Sequence, residues 1–302
     1  MRKFWLFFTV DANTGADAAS GFMPTQNMVE MYEKKGTDGN YYPITDPRSG
    51  YNDQDPFVDR DPRFYNNIAT PGTTWGLKNA KTFYWTTYQG GAEYNLLLTN
   101  PNSNQRNQTG YICNKYIYPE ANDMTSDNNN LIYHVITCFI RYAQVYLDYA
   151  EASFEATGSA TAIVPGCSMT AAEALNVVRN RVGVTNVAAD IANDPVKFRE
   201  TLRRERTVEL MFENHRWFDI RRWMIMHTLF EKPNPLKGIL ATPTTSVVGL
   251  NETSPENANL KFSFKTIDLP AEIRGYTMKN YWYPFTINEV ASMKNLVQNP
   301  GW

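Results

Sequence analysis

Residues 199–223 read Arg-Glu-Thr-Leu-Arg-Arg-Glu-Arg-Thr-Val-Glu-Leu-Met-Phe-Glu-Asn-His-Arg-Trp-Phe-Asp-Ile-Arg-Arg-Trp. Pro195 precedes this run and neither Pro nor Gly interrupts it, which predicts one long helix from Pro195 to Trp223, continuing towards Phe230 after a bend. Glu205, Glu209 and Glu213 recur every four residues and so share one helix face, with Arg206 and Arg216 within three residues of members of that stripe. Leu202, Leu210, Met211, Phe212, Trp217, Phe218, Ile220 and Trp223 add a wide apolar surface. A helix this charged and this aromatic must pack with its charges paired, because an unpaired buried carboxylate costs several kcal/mol or more.

The run resembles the signature helix of the SusD/RagB family. Arg204-Glu205-Arg206, Glu209-Leu210, Glu213-Asn214-His215-Arg216 and Asp219-Ile220-Arg221-Arg222-Trp223 follow the family pattern, with Glu205, Glu209, Glu213, Arg216, Asp219 and Trp223 as its structural signature. Other segments resemble the same family in the same order. They are Pro24-Thr25-Gln26 through Tyr32, Asp59-Arg60-Asp61-Pro62-Arg63, Gly110 to Tyr116, Arg141-Tyr142-Ala143-Gln144-Val145 with Tyr149-Ala150-Glu151-Ala152, and the terminus from Tyr283-Pro284-Phe285 to Trp302.

The resemblance implies a mostly α fold of tetratricopeptide-like helical pairs with long irregular loops and minor β. It implies a surface lipoprotein of Bacteroidetes that binds oligosaccharide without catalysis, uses no cofactor, and delivers its ligand to a SusC-like TonB-dependent transporter in the outer membrane. Peptide or protein capture, as in the RagB branch, and glycan hydrolysis are the alternatives, and a helical-repeat scaffold without a small ligand is a further one. Family members carry a long helical half ahead of the Pro-Thr-Gln segment, and here only a short stretch precedes it. The expectation is therefore a C-terminal portion lacking that half; a minimal family member is the other reading.

With Lys+Arg 29 against Asp+Glu 31 the net charge is −2, which argues against nucleic acid or an anionic membrane as the main partner. Cys113, Cys138 and Cys167 lie far apart without metal-type spacing and are each expected to be buried, inert thiols. Phe4 to Val10 is a short apolar stretch behind Arg2-Lys3; no cysteine follows it to accept a lipid, and no run of ~20 apolar residues could span a membrane.

The chain divides into an N-terminal segment (1–22), a loop-rich region expected to carry the ligand face (23–130), a helical signature region (131–231) and a loop-rich C-terminal region (232–302). Helices are predicted over Met23–Lys35 with Thr25 as N-cap, Phe139–Ala156 before Gly158, Thr170–Val182 with a Thr170/Glu173 capping box, and Thr286–Lys294. Alternation predicts strands over Tyr111–Tyr118 and Lys261–Lys265.

Two constellations invite chemistry. The Glu205/Glu209/Glu213 stripe offers carboxylates at glycosidase spacing, but all project from one face and cannot easily flank a scissile bond, so a structural ion network is expected. Asp53, Asp55, Asp59 and Asp61 could serve a calcium loop, yet the EF-hand positions fail, and loop capping with pairing to Arg60 and Arg63 is the preferred reading. The ligand candidate is the aromatic-polar stretch 75–89. Trp75, Tyr84, Trp85 and Tyr88 offer flat rings for sugar C–H faces, and Asn79, Lys81 and Gln89 offer hydrogen bonds to hydroxyls, although each ring could equally be core. There is no phosphate loop, nucleophile motif or zinc spacing.

Overall fold

The computed structural model describes residues 23–78, 81–92, 94, 109–115, 138–230, 236–269 and 276–302, so the readings of residues 1–22, of Asn79 and of the strand beyond Lys115 lie outside it. Helix outweighs strand. The helices are α1 (Gln26–Val29), α2 (Pro62–Asn67), α3 (Tyr142–Thr157), α4 (Ala171–Arg181), α5 (Ala189–Ala192), α6 (Pro195–Glu209), α7 (Arg216–Arg222), α8 (Met226–Phe230) and α9 (Ile287–Ser292). The strands are β1 (Lys34–Lys35), β2 (Tyr41–Tyr42), β3 (Ile68–Ala69), β4 (Thr74–Lys78), β5 (Lys81–Tyr84), β6 (Ile112–Cys113), β7 (Lys237–Pro243) and β8 (Phe262–Asp268). They pair antiparallel as β1–β2, β3–β6, β4–β5 and β7–β8.

The largest core joins α3, α4 and α6. On α3, Ala143, Leu147, Ala150 and Phe154 fall at helical spacing and are buried against Ala171, Ala174, Leu175 and Val178 of α4 and Phe198 and Leu202 of α6. The alanines keep this interface thin, while each buried Leu or Phe contributes about 1.5–3 kcal/mol. Gly158 ends α3 in the left-handed region at φ 67°. Thr170 and Glu173 form the expected capping box at the start of α4, and Thr286 and Glu289 form another at α9. A second core gathers Val29, Tyr32, Phe64, Ile68, Tyr111, Val208, Met211 and Ile239 from α1, α2, the end of α6 and β7.

Three predicted elements are corrected. The helix expected over Met23–Lys35 is one turn, capped by Thr25 as foreseen, and Lys34–Lys35 instead pair with Tyr41–Tyr42 as strand. The Phe139–Ala156 helix begins later, at Tyr142. The long helix Pro195–Trp223 is broken: α6 stops at Glu209 and α7 starts at Arg216, with Phe212 at φ 58° and Asn214 at φ 65°. The break has an identifiable cause. Lys115 donates to the carbonyls of Glu209 and Met211 at 3.2 and 2.8 Å, and Arg141 donates to that of Glu209 at 2.8 Å, satisfying the carbonyls that a continuing helix would use. In a straight helix Arg206 and Asp219 would stand about 20 Å apart; here Arg206 Nε donates to Asp219 Oδ2 at 2.8 Å.

Gly110 lies where two backbones nearly touch. Its φ is +82°, and a Cβ there would stand 2.2 Å from the carbonyl oxygen of Ile239 on β7. Gly158 shares the left-handed conformation but a Cβ on it meets nothing within 4 Å. Gly158→Ala should therefore cost about 1–2 kcal/mol, the left-handed penalty alone, and Gly110→Ala clearly more, because β7 must shift. Urea midpoints of the two variants check the order.

Candidate functional site

The face of α6 that carries Phe198 and Leu202 into the apolar core continues as Glu205 and Glu209, each 3% exposed. Two buried carboxylates one turn apart repel each other and need cations from elsewhere. Arg63, at the start of α2, supplies the first. Its Nη1 donates to Glu205 Oε1 at 2.6 Å and Glu209 Oε2 at 2.9 Å, while Nε and Nη2 fork onto Asp61 at 3.0 and 2.6 Å. Asp61 also caps α2 by accepting from the Arg63 backbone N–H.

Arg179 on α4 links Glu205 at 3.0 Å to Glu33 at 2.8 Å, and Arg204 closes on Glu33 at 2.7 Å. Arg141 bridges Glu209 at 2.5 Å and Glu213 at 2.7 Å; Lys115 reaches Glu213 at 2.6 Å and Arg181 reaches Glu209 at 2.9 Å. A further branch runs from Asp148 through Arg206 to Asp219, which also accepts from Arg222.

The expected ion network is thus present, with different partners. Glu213 pairs with Arg141 and Lys115 from other segments, not with Arg216, whose Nη1 donates to the Thr207 hydroxyl at 2.9 Å and whose guanidinium lies 6.0 Å from the Trp223 ring. The helix break explains the change, because it removes the i,i+3 geometry between Glu213 and Arg216. Arg60 likewise does not pair with an aspartate; it donates to the carbonyls of Pro56, Val29 and Tyr32. Asp53, Asp55 and Asp59 are exposed whereas Asp61 is buried, and among the described residues no carboxylate, Cys or His group converges as a metal site. Cys113 is buried, its thiol pushed up to about 12 by that burial, but Cys138 and Cys167 are exposed, contrary to expectation.

Burial alone would raise the Glu209 carboxyl, yet Arg63 and Arg141 outweigh it and hold the group at about 2. Glu205 is lowered against its own burial by Arg63 and Arg179, and Glu213 by Arg141 and Lys115. These carboxylates stay charged and covered, the wrong state for a general acid.

The predicted aromatic platform is placed differently from expectation. Trp85, Tyr88 and Tyr84 are buried, at 0, 1 and 8% exposure. Trp85 meets Phe83 edge-to-face at 5.1 Å beside Ala69 and Ile112. The Tyr88 hydroxyl donates to Asn257 Oδ1 at 2.5 Å and its ring lies 5.4 Å from Phe262. The Tyr84 N–H donates to the Glu252 carbonyl at 2.7 Å. The whole stretch 83–88 is buried on both sides, so these three rings have no open face for a sugar. Only Phe83 and Tyr84 of this run belong to β5; Trp85 to Tyr88 follow it as irregular chain that is buried throughout. Lys81 and Gln89, at either end of it, are exposed, and Trp75 lies in β4 paired with β5.

Exposed rings occur at Tyr65, Phe139, Tyr142 and Phe218, and a group of them lies near the C-terminus, with Trp282 at 49%, Tyr283 at 65% and Trp302 at 45%. Their edges are fixed, since Trp217 donates to the Tyr283 hydroxyl at 3.0 Å and Trp302 donates to the carbonyls of Lys279 and Trp282 at 3.0 and 3.1 Å. Aromatics set among turn residues, as in Pro-Gly-Trp, are the sequence signal for such exposure.

The SusD family model matches residues 2–302. The chain belongs to the SusD family. No curated protein sequence matches it. A SusD-like protein from Bacteroides fragilis NCTC 9343 superposes with TM-score 0.68 at 24% identity, over 98% of this chain and 50% of that one. The protein BT4246 superposes with TM-score 0.68 at 22% identity, over 93% and 44%. A SusD-like carbohydrate-binding protein from Bacteroides fragilis NCTC 9343 matches at 26% identity with TM-score 0.50, over 82% and 44%. The chain therefore spans about half the length of these solved relatives.

Two outcomes follow for this SusD-family network. Arg63→Ala leaves three buried carboxylates short of a cation and should cost about 3–5 kcal/mol, whereas Arg216→Ala strands no carboxylate and should cost about 1 kcal/mol; urea unfolding reads both. The second concerns acid. Glu209 sits at about 2 against an ordinary 4.5, so its stabilisation is complete above pH 4.5 and disappears as pH falls towards 2. At about 1.4 kcal/mol per tenfold change in proton affinity this amounts to roughly 3 kcal/mol. The urea midpoint should be flat from neutral pH to about 5 and then drop, and Glu209→Gln should drop less across that window.

Proposed function

We propose that this SusD-family protein binds oligosaccharide at the bacterial cell surface, without turning it over, and delivers it to a SusC-like TonB-dependent transporter. Family membership carries the reading, and the carbohydrate-binding character of one solved relative supports it. The charge state of the signature carboxylates supports a non-catalytic role, since Glu205, Glu209 and Glu213 are committed to guanidinium and ammonium partners. The α3–α4 pair is read as the tetratricopeptide-like element of that fold. Among the described residues no helix is long and apolar enough to cross a membrane.

The ligand face is assigned to the aromatic-polar stretch 75–89, with Lys81 and Gln89, both exposed, as its hydrogen-bonding side chains and Trp75 and Asn79 as further candidates from the sequence. Trp85 and Tyr88 support this face from within. Calorimetry on the 302-residue chain against a panel of neutral oligosaccharides tests the proposal. Binding is expected at micromolar to millimolar Kd, about 4–8 kcal/mol, with Lys81→Ala weakening it while the fold persists. Trp85→Ala should instead destabilise by about 3–5 kcal/mol as a core truncation. Appearance of shortened sugars in the mixtures, or binding of peptides but no glycan, would overturn the reading.

A further inference from the structure

α3, α6 and α7 border a groove of about 570 Å³ lined by Glu151, Glu155, Arg199, Arg203, Arg222 and Trp223. Its three guanidinium groups face two carboxylates, and both carboxylates are already engaged. Glu151 accepts both arms of the Arg222 fork and the Trp223 Nε1–H, the last at 2.7 Å. Glu155 accepts the Arg199 fork at 2.7 and 2.8 Å. Arg203 is left over. Among the described residues no carboxylate stands within ion-pairing distance of it, and its guanidinium carbon lies 5.0 Å from the centroid of the Trp223 ring.

The other charges that line the groove balance, Arg199 and Arg222 against Glu151 and Glu155. Burial first, and then the like charge of Arg199, lower its proton affinity, with Arg222 adding to the effect and Glu155 and Glu151 only partly opposing it. Arg216, also near the Trp223 ring, is a second guanidinium with no carboxylate within ion-pairing distance among the described residues. A guanidinium offers planar, forked donors that match the two oxygens of a carboxylate. The low-dielectric flank of Trp223 strengthens such a pair relative to open water.

We propose that this groove binds the carboxylate of an acidic saccharide, a uronate, with Arg203 as its ion-pairing partner. The inference rests on the glycan-binding reading above and adds a ligand class and a second locus, away from the β4–β5 region. Calorimetry with an oligogalacturonate, beside a neutral oligosaccharide that the chain binds, tests it. Arg203→Ala and Arg203→Gln should each weaken oligogalacturonate binding at least tenfold and leave the neutral sugar and the circular dichroism spectrum unchanged, and raising salt should weaken only the acidic ligand. Equal oligogalacturonate affinity in both variants, or no oligogalacturonate binding while neutral sugars bind, overturns the groove assignment and leaves the glycan reading standing. Failure of every saccharide overturns that reading itself. A sulfated oligosaccharide that binds in place of the uronate, with the same loss in the variants, overturns the carboxylate assignment.

Discussion

Arg63 is the side chain on which the rest of the architecture depends. It is buried, and its fork holds Asp61 of its own segment while one nitrogen reaches both Glu205 and Glu209 of α6. Desolvating such a cluster costs roughly what its attractions return, so its net contribution to stability against an apolar substitute is small. Its value lies in geometry. An apolar contact between α2 and α6 would tolerate sliding by a fraction of a turn; a fork closed on three carboxylates does not. We attribute the register of the loop-rich N-terminal part on the helical part to this cluster.

The same cluster sets where α6 ends. Glu209 and Glu213 draw in Arg141 and Lys115, and those cations then satisfy the carbonyls of Glu209 and Met211. Once these acceptors are filled from outside, the helix gains little by continuing, and Phe212 and Asn214 can take left-handed conformations that reverse the chain. Asn tolerates that region through its short polar side chain, but Phe does not do so readily. The strain at Phe212 is sustained by the surrounding contacts rather than by its own preference.

What was legible in the sequence was local. The Thr170/Glu173 capping box, the Gly158 stop and the Thr25 cap depend on residues within four positions of one another, and each is realised. The need for charge pairing along Glu205, Glu209 and Glu213 was legible from burial alone. The identity of the partners was not, because Arg63, Arg141, Arg179 and Lys115 lie far away in sequence. The helix break escaped for the same reason: its cause is a lysine almost a hundred residues upstream, |i−j| being 94 to the Glu209 carbonyl. The aromatic stretch left both readings open because ring chemistry does not reveal which side is covered. Trp85 has the right face for a sugar, but Phe83, Ala69 and Ile112 already occupy its surroundings.

The reversal between α6 and α7 also creates the groove around Arg203. Twenty residues separate Arg203 from Trp223, and a continuous helix would hold them about 30 Å apart. The turn at 210–215 instead returns Trp223 to within 5.0 Å of the Arg203 guanidinium, and Glu151 of α3 fixes the indole there by accepting its N–H. Trp223 thus brings an apolar wall beside a cation that has no anion of its own among the described residues. Filling that wall with a small apolar side chain would have been simpler for packing, and a carboxylate near Arg203 would have neutralised it. Among the described residues no carboxylate stands within ion-pairing distance of Arg203, since Glu151 and Glu155 are taken by Arg222 and Arg199, while Glu205, Glu209, Glu213 and Asp219 are each neutralised. An uncompensated guanidinium at the rim of so closely balanced a network is where a ligand's charge would have most effect.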